Sequence, residues 1–150
     1  MDILLPCTPD LIQNLADNMR DADKAEVAAF AGISPSAALA QSVACSVSCV
    51  AWVVDGQVAC MGGIAAPHIL STTGAPWLLS SGVVPQNSRK FLRGTKLFIT
   101  EWKKQYNHLG NFIDARYTVA IRWVEWLGFT VHKDQPVEFN GQQFYFFEMK

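Results

Sequence analysis

Arg89, Lys90, Arg93, Lys96, Lys103 and Lys104 crowd the stretch 89–104, relieved only by Glu101, whereas Asp55 is the single formal charge between Glu26 and Arg89. Cations packed at the start of a helix suit an anion. The first turn of a helix offers unpaired N–H groups and the positive end of its dipole, and phosphate binds well there. Proton-transfer chemistry has fewer candidates. Gln57–Val84 holds no carboxylate, which leaves His68, Ser80 and Ser81 as its polar side chains able to serve, and Tyr117 adds a phenol further on. His68 titrates near neutral pH unless perturbed, so it suits a general base. No G-x-S-x-G elbow, P-loop or dinucleotide fingerprint occurs, and Cys45 and Cys60 have no histidine partner at a recognisable spacing. Nucleophilic and Walker-type chemistry are therefore not indicated.

The elements that must position these groups can be read from periodicity and punctuation. Ile3–Pro6 reads as a strand, and Thr8-Pro9-Asp10 opens a helix with a hydroxyl cap, a proline in the first turn and a carboxylate favoured by the dipole. Helices follow over Asp21–Phe30, stopped by Gly32, and from Ser34 to about Ala44. Val47–Val54 and Gln57–Ala66 form a hairpin across Asp55-Gly56. Pro67–Gly74 reads as a loop and Ala75–Val84 as a strand ended by Pro85-Gln86-Asn87-Ser88. Arg89–Asn107 is the longest helix, with Phe91, Thr95, Phe98, Trp102 and Tyr106 on one stripe. A strand over Leu109–Ala115, a helix over Tyr117–Leu127, a strand over Thr130–Lys133 and a last hairpin turning at Asn140-Gly141 complete the chain. This order predicts one mixed α/β domain over 1–150, with crossover helices forcing parallel strand pairs.

Bulk properties narrow the classes. Net charge is −1, which gives no general attraction for nucleic acid, and Trp102 and Tyr106 at core spacing leave few aromatics for base stacking. Cys7, Cys45, Cys49 and Cys60 lack a zinc pattern and read as free thiols in a reducing compartment, with Cys45 and Cys49 near one another on a helix. The start carries no signal-peptide pattern. Ala37–Val54 is uncharged, but its serines and Gln41 make it too polar for a membrane span. Cytoplasmic placement and no membrane partner are the expectations.

Asn111–Phe129, NFIDARYTVAIRWVEWLGF, carries a resemblance. A strand, then a helix closing on Leu127-Gly128-Phe129, then another strand resembles the C-terminal half of the GCN5-related N-acetyltransferases (GNAT), and the element order is similar over essentially the whole chain. The resemblance implies a twisted mixed sheet of six to seven strands, splayed between the fourth and fifth, with acetyl-CoA as cosubstrate in the gap and no metal. The family's Arg/Gln-x-x-Gly-x-Gly/Ala phosphate signature falls on Arg89-Lys90-Phe91-Leu92-Arg93-Gly94, followed by Thr95, with Leu92 in place of the middle glycine. Backbone N–H groups around Val83 and Val84 would polarise the thioester carbonyl. Laying the family's Asn-x-x-Ala-Ile-x-x-Tyr-x-x-Leu-Gly-Phe pattern over the chain puts Tyr117 at the asparagine and Val124 at the proton-donating tyrosine. Tyr117, His68 and Ser80 are thus the catalytic candidates, with the amine acceptor approaching from the side of His68 and Ser80.

A narrower likeness, strongest over Arg89–Phe129, is to acetyltransferase-like proteins of short-tailed phages related to internal virion proteins. It implies action in the host cytoplasm, either on an amine of a protein or small molecule, or as a catalytically silent scaffold for virion assembly or a host protein. Exposed sheet edges leave a homodimer open.

Overall fold

The computed structural model describes residues 1–68 and 70–150. Ile69, inside the loop expected over Pro67–Gly74, lies outside the described residues. The chain runs β1 (Asp2–Leu5), α1 (Pro9–Asn18), α2 (Asp21–Ala31), α3 (Pro35–Cys45), β2 (Ser46–Val54), β3 (Gln57–Ala65), β4 (Thr73–Ser80), a 3-10 turn (Val84–Asn87), α4 (Ser88–Gln105), β5 (His108–Asp114), α5 (Thr118–Leu127), β6 (Thr130–Val131), β7 (Val137–Phe139) and β8 (Gln142–Met149). The strands form one eight-stranded mixed sheet in the order β1-β2-β3-β4-β5-β8-β6, with β7 also paired to β8.

Local chemistry accounts for the ends of the elements. The Thr8 hydroxyl accepts the Leu11 N–H at the start of α1. At the end of α5, Gly128 takes φ +108°, the Phe129 N–H reaches back to the Val124 carbonyl, and buried Phe129 closes the apolar side. A side chain at that φ is strained, which is why glycine ends this helix. Both hairpins turn on a pair of residues at positive φ, Asp55-Gly56 and Asn140-Gly141, as the primed two-residue turns require.

The sheet is covered on both faces. On one, α1, α2 and α3 pack Leu15, Met19, Val27 and Leu39 against Val53, Met61 and Leu79. On the other, α4 and α5 pack Ile99, Ile121, Val124 and Leu127 against Ile113 and Phe147. Val124 is thus a core residue, 3% exposed. Cys45 ends α3 while Cys49 lies within β2, so the two do not share a helix, and all four cysteines are free thiols. Among the described residues no single helix is long and apolar enough to cross a membrane.

The central irregularity is between β4 and β5. They pair in parallel only at Thr73↔His108 and Gly74↔Leu109 and then part, while β5 stays paired to β8 from Leu109 to Asp114. Pro76 explains where the ladder fails. Its carbonyl faces β5 and accepts the Asn111 side-chain amide at 2.9 Å, so its nitrogen faces the same way, and proline has no N–H to give. Asn111 fills that rung with a side chain, and its own Oδ1 takes the Phe112 N–H at 2.8 Å.

β4 also stops earlier than the sequence implies. Ser81, not Val84, is its last contact, through a single bridge to Met19. The buried Ser81 hydroxyl donates to the Val58 and Ala59 carbonyls and accepts the Val83 N–H, which turns the chain out of the sheet.

Candidate active site

The space opened by the splay is a cavity of about 880 Å³ that passes through the sheet. On the α4/α5 side it is lined by Phe91, Gly94, Thr95, Phe98 and Trp123, and on the α2/α3 side by Asp23, Glu26, Val27 and Ala38. That volume is at the upper end for ligand pockets.

Polar groups in the gap can be accounted for one by one. In β4, residues 76, 78 and 80 direct their main-chain groups toward β5. Pro76 is bridged by Asn111. The Ser80 N–H donates to Asp23 Oδ2 at 2.8 Å, the Ser80 hydroxyl to the same oxygen at 2.7 Å, and the Ser80 carbonyl accepts the Arg20 N–H. On β5, the Asp114 N–H donates to Glu26 Oε2 at 2.9 Å. Among the described residues, Leu78 alone of these β4 positions has no partner across the gap, and the alternation that turns Pro76 and Ser80 toward β5 turns its N–H toward the cavity.

The mouth of the splay is therefore held by one helix. Asp23 and Glu26 stand three apart on α2 and share a face. One grips the end of β4 and the other the end of β5. Asp114 is itself clasped by Arg116, whose Nη2 lies 2.7 Å from Oδ2 and whose Nε lies 3.0 Å from Oδ1. Burial pushes both α2 carboxyls upward. For Asp23 the bonds from Ser80 oppose that shift. Glu26 rises to about 7, burial leading, with the Asp114 N–H opposing it and the charges of Asp23 and Asp114 adding to it. Tyr117, at the start of α5, also lines the cavity, and burial with the nearby Asp23 charge raises its phenol, so it stays protonated.

Several expected residues fall elsewhere. His68 is exposed and precedes β4, at the zipped end of the splay, roughly 20 Å of strand from Ser80. Val83 and Val84 belong to the turn, and their N–H groups are spent on Ser81 Oγ and the Ser81 carbonyl, so they cannot polarise a thioester. Of the basic segment, Arg93, Gly94, Thr95, Phe91 and Lys90 line the cavity, whereas Arg89 and Leu92 do not. Lys90 is tied to Asp2 at 3.0 Å, and Asp2 also accepts the Trp52 indole N–H. Asn87 turns its amide to the Val83 carbonyl and leaves the first turn of α4 without a side-chain cap. A Cβ built at Gly94 meets nothing within 4 Å, so this position opens onto free space. Thr95 receives the Trp123 indole N–H, and Phe91 lies 5.4 Å from Trp123, which together fix an aromatic wall.

Solved structures share this architecture. An acetyltransferase of the GNAT family from Streptococcus pneumoniae superposes with a TM-score of 0.58 at 12% identity over 99% of both chains. The ribosomal-protein-S18-alanine N-acetyltransferase of Escherichia coli gives 0.64 at 11% identity, over 99% of this chain and 93% of that one. The chain has the GNAT fold. A third match, yncA from Salmonella typhimurium, whose structure includes its cofactor acetyl-CoA, gives 0.68 at 14% identity, over 99% of this chain and 93% of that one. No family model and no curated protein sequence matches.

Within the GNAT fold of this chain, the groups that sequence reasoning missed are Arg20 at the cap of α2 and Asp23 and Glu26 within it, together with Asn111 and the Leu78 N–H. The middle strands carry no carboxylate, and this sheet instead receives its carboxylates from a helix. The available signal was Asp23, Glu26 and Val27 within one turn, two carboxylates beside an apolar residue.

Proposed function

We propose that the protein is an acetyl-CoA-dependent N-acetyltransferase acting on an amine, with its centre in the gap between β4 and β5. The observation that carries this reading is the unpaired Leu78 N–H in the wall of a cavity that crosses the sheet. The residues present fit the cosubstrate. Gly94 leaves space where a side chain would intrude, the uncapped first turn of α4 and Arg93 offer donors and charge for phosphates, and Phe91 and Trp123 wall the path between them. Acetyl-CoA supplies the acetyl group: the amine nitrogen bonds to the acetyl carbon, the carbon–sulfur bond breaks, and sulfur departs as a thiolate that takes up the proton the nitrogen sheds as the amide forms.

Each residue has a defined task. The Leu78 N–H donates to the carbonyl oxygen as negative charge gathers there. Glu26, poised near neutrality, accepts the proton from the incoming ammonium. Tyr117 keeps its proton and donates a hydrogen bond toward the departing sulfur. Its raised pKa makes it a donor rather than a strong acid. Asp23 and Ser80 act by position, fixing α2 on β4. No task falls to His68. The likeness to phage proteins rests on the sequence alone, and placement in a host cytoplasm follows only from it.

The test is release of free thiol from acetyl-CoA on addition of a panel of primary amines, followed by mass spectrometry of the products. Amine-dependent thiol release with an acetylated product supports the reading. Acetyl-CoA hydrolysis that ignores every amine, or no release, contradicts it.

A further inference from the structure

Arg20 lines the cavity half-buried and is not used by the chemistry above. Among the described residues no carboxylate lies within ion-pairing distance of its guanidinium. Its group stands 6.0 Å from the centre of the Tyr117 ring, and Asp23, whose carboxyl feels the Arg20 charge without pairing with it, already gives one oxygen to both donors of Ser80. The main chain of Arg20 is fixed independently of this side chain, through its N–H to the Ser80 carbonyl. A half-buried guanidinium without a paired anion is costly, and its planar fork suits a carboxylate.

Arg20 is the extended cap residue before α2, and Glu26 stands six residues further on, about 9 Å along the axis. An α-amino acid with one hydrogen bond at its carboxylate and one at its ammonium spans roughly 8 Å. The cavity walls on this side are apolar: Val27 and Phe30 on α2, Ile33 in the link to α3, Ala38 on α3, and Phe144 on the sheet. Resting on the transferase reading, we infer that the acceptor is a zwitterion, an α-amino acid with an apolar side chain, its carboxylate on Arg20 and its amine at Glu26. A polyamine or lysine side chain would bring a second cation toward Arg20, and an uncharged amine would leave the guanidinium unmet.

The experiment compares L-phenylalanine, L-phenylalaninamide and phenethylamine in two ways. One is calorimetric titration into the free protein, and the other is kcat/KM for acetyl transfer, with acetyl-CoA binding measured separately. The expected result is a preference for the acid over the amide of about tenfold or more in both. In Arg20→Gln that preference collapses toward parity through a higher KM for the acid, while acetyl-CoA affinity is unchanged. An amide or simple amine bound and used as well as the acid, an unaltered preference in Arg20→Gln, or no binding by any of the three overturns the inference. Failure of acetyl-CoA to bind would instead defeat the transferase reading, and the acid-against-amide titration would still decide the acceptor.

Discussion

At the scale of a residue, Glu26 carries the proton transfer. Its carboxyl sits at about 7 because burial outweighs the bond from the Asp114 N–H. As the base, it must be ionised to work, so kcat/KM should rise with pH through about 7 and level off above it. Glu26→Gln keeps an acceptor for the Asp114 N–H yet cannot take a proton. It should lower kcat about a hundredfold and abolish that limb of the pH profile. The same shift bears on stability. The folded protein holds this proton more tightly than the unfolded chain, so the stability is fully present below the ordinary carboxylate pKa of 4.5 and is lost as pH rises to about 7. Glu26→Gln should therefore be more stable than the parent at pH 8, by about 2 kcal/mol, and lose that advantage near pH 4, as urea denaturation at the two pH values would read. In the sequence, Glu26 and Asp23 look like ordinary helix carboxylates. Their role depends on which strands α2 meets, and no local pattern encodes that. Tyr117 and Ser80 were legible as polar side chains near the strand ends, while the Leu78 N–H has no side-chain signature at all.

At the scale of elements, the parts with local causes were readable. The Leu127-Gly128-Phe129 helix stop, the two hairpins and the stripe of α4 each depend on residues a few positions apart. Gly128→Ala should cost about 1–2 kcal/mol, because the residue sits at φ +108° and a Cβ would press within 3.3 Å of the Met149 Cε. Parts with distant causes were not readable. Ser81-Gly82-Val83-Val84 has the composition of a continuing strand, yet contacts of Ser81 with β3, over twenty positions away, turn it out of the sheet. The clasp of α2 across β4 and β5 is likewise long-range. Asp23→Ala leaves the Ser80 N–H without its partner and should destabilise the fold by about 1–3 kcal/mol in chemical denaturation. Asp23→Asn, which keeps an acceptor oxygen, should cost much less. Equal losses in the two variants would mean that Asp23 does not clasp β4 through hydrogen bonds.

At the scale of the whole molecule, the fold positions a free main-chain donor, a base and an uncapped helix start around one passage through the sheet. The mixed α/β order and the splay between the fourth and fifth strands were anticipated. The division of labour was not, because the proline that opens the gap and the helix that spans it act together only in three dimensions. Gly94 gives a clean handle on the passage. A side chain there meets no protein atom, so Gly94→Leu should fold as well as the parent, gaining helix propensity, while filling the space the cosubstrate needs. The deciding measurement is calorimetric titration of acetyl-CoA into the parent and into Gly94→Leu, with thermal melts of both. The expected result is micromolar binding by the parent and at least about a tenfold loss in the variant at undiminished stability. No binding by the parent at millimolar acetyl-CoA, or equal binding by the two, would contradict a cosubstrate site between β4 and β5.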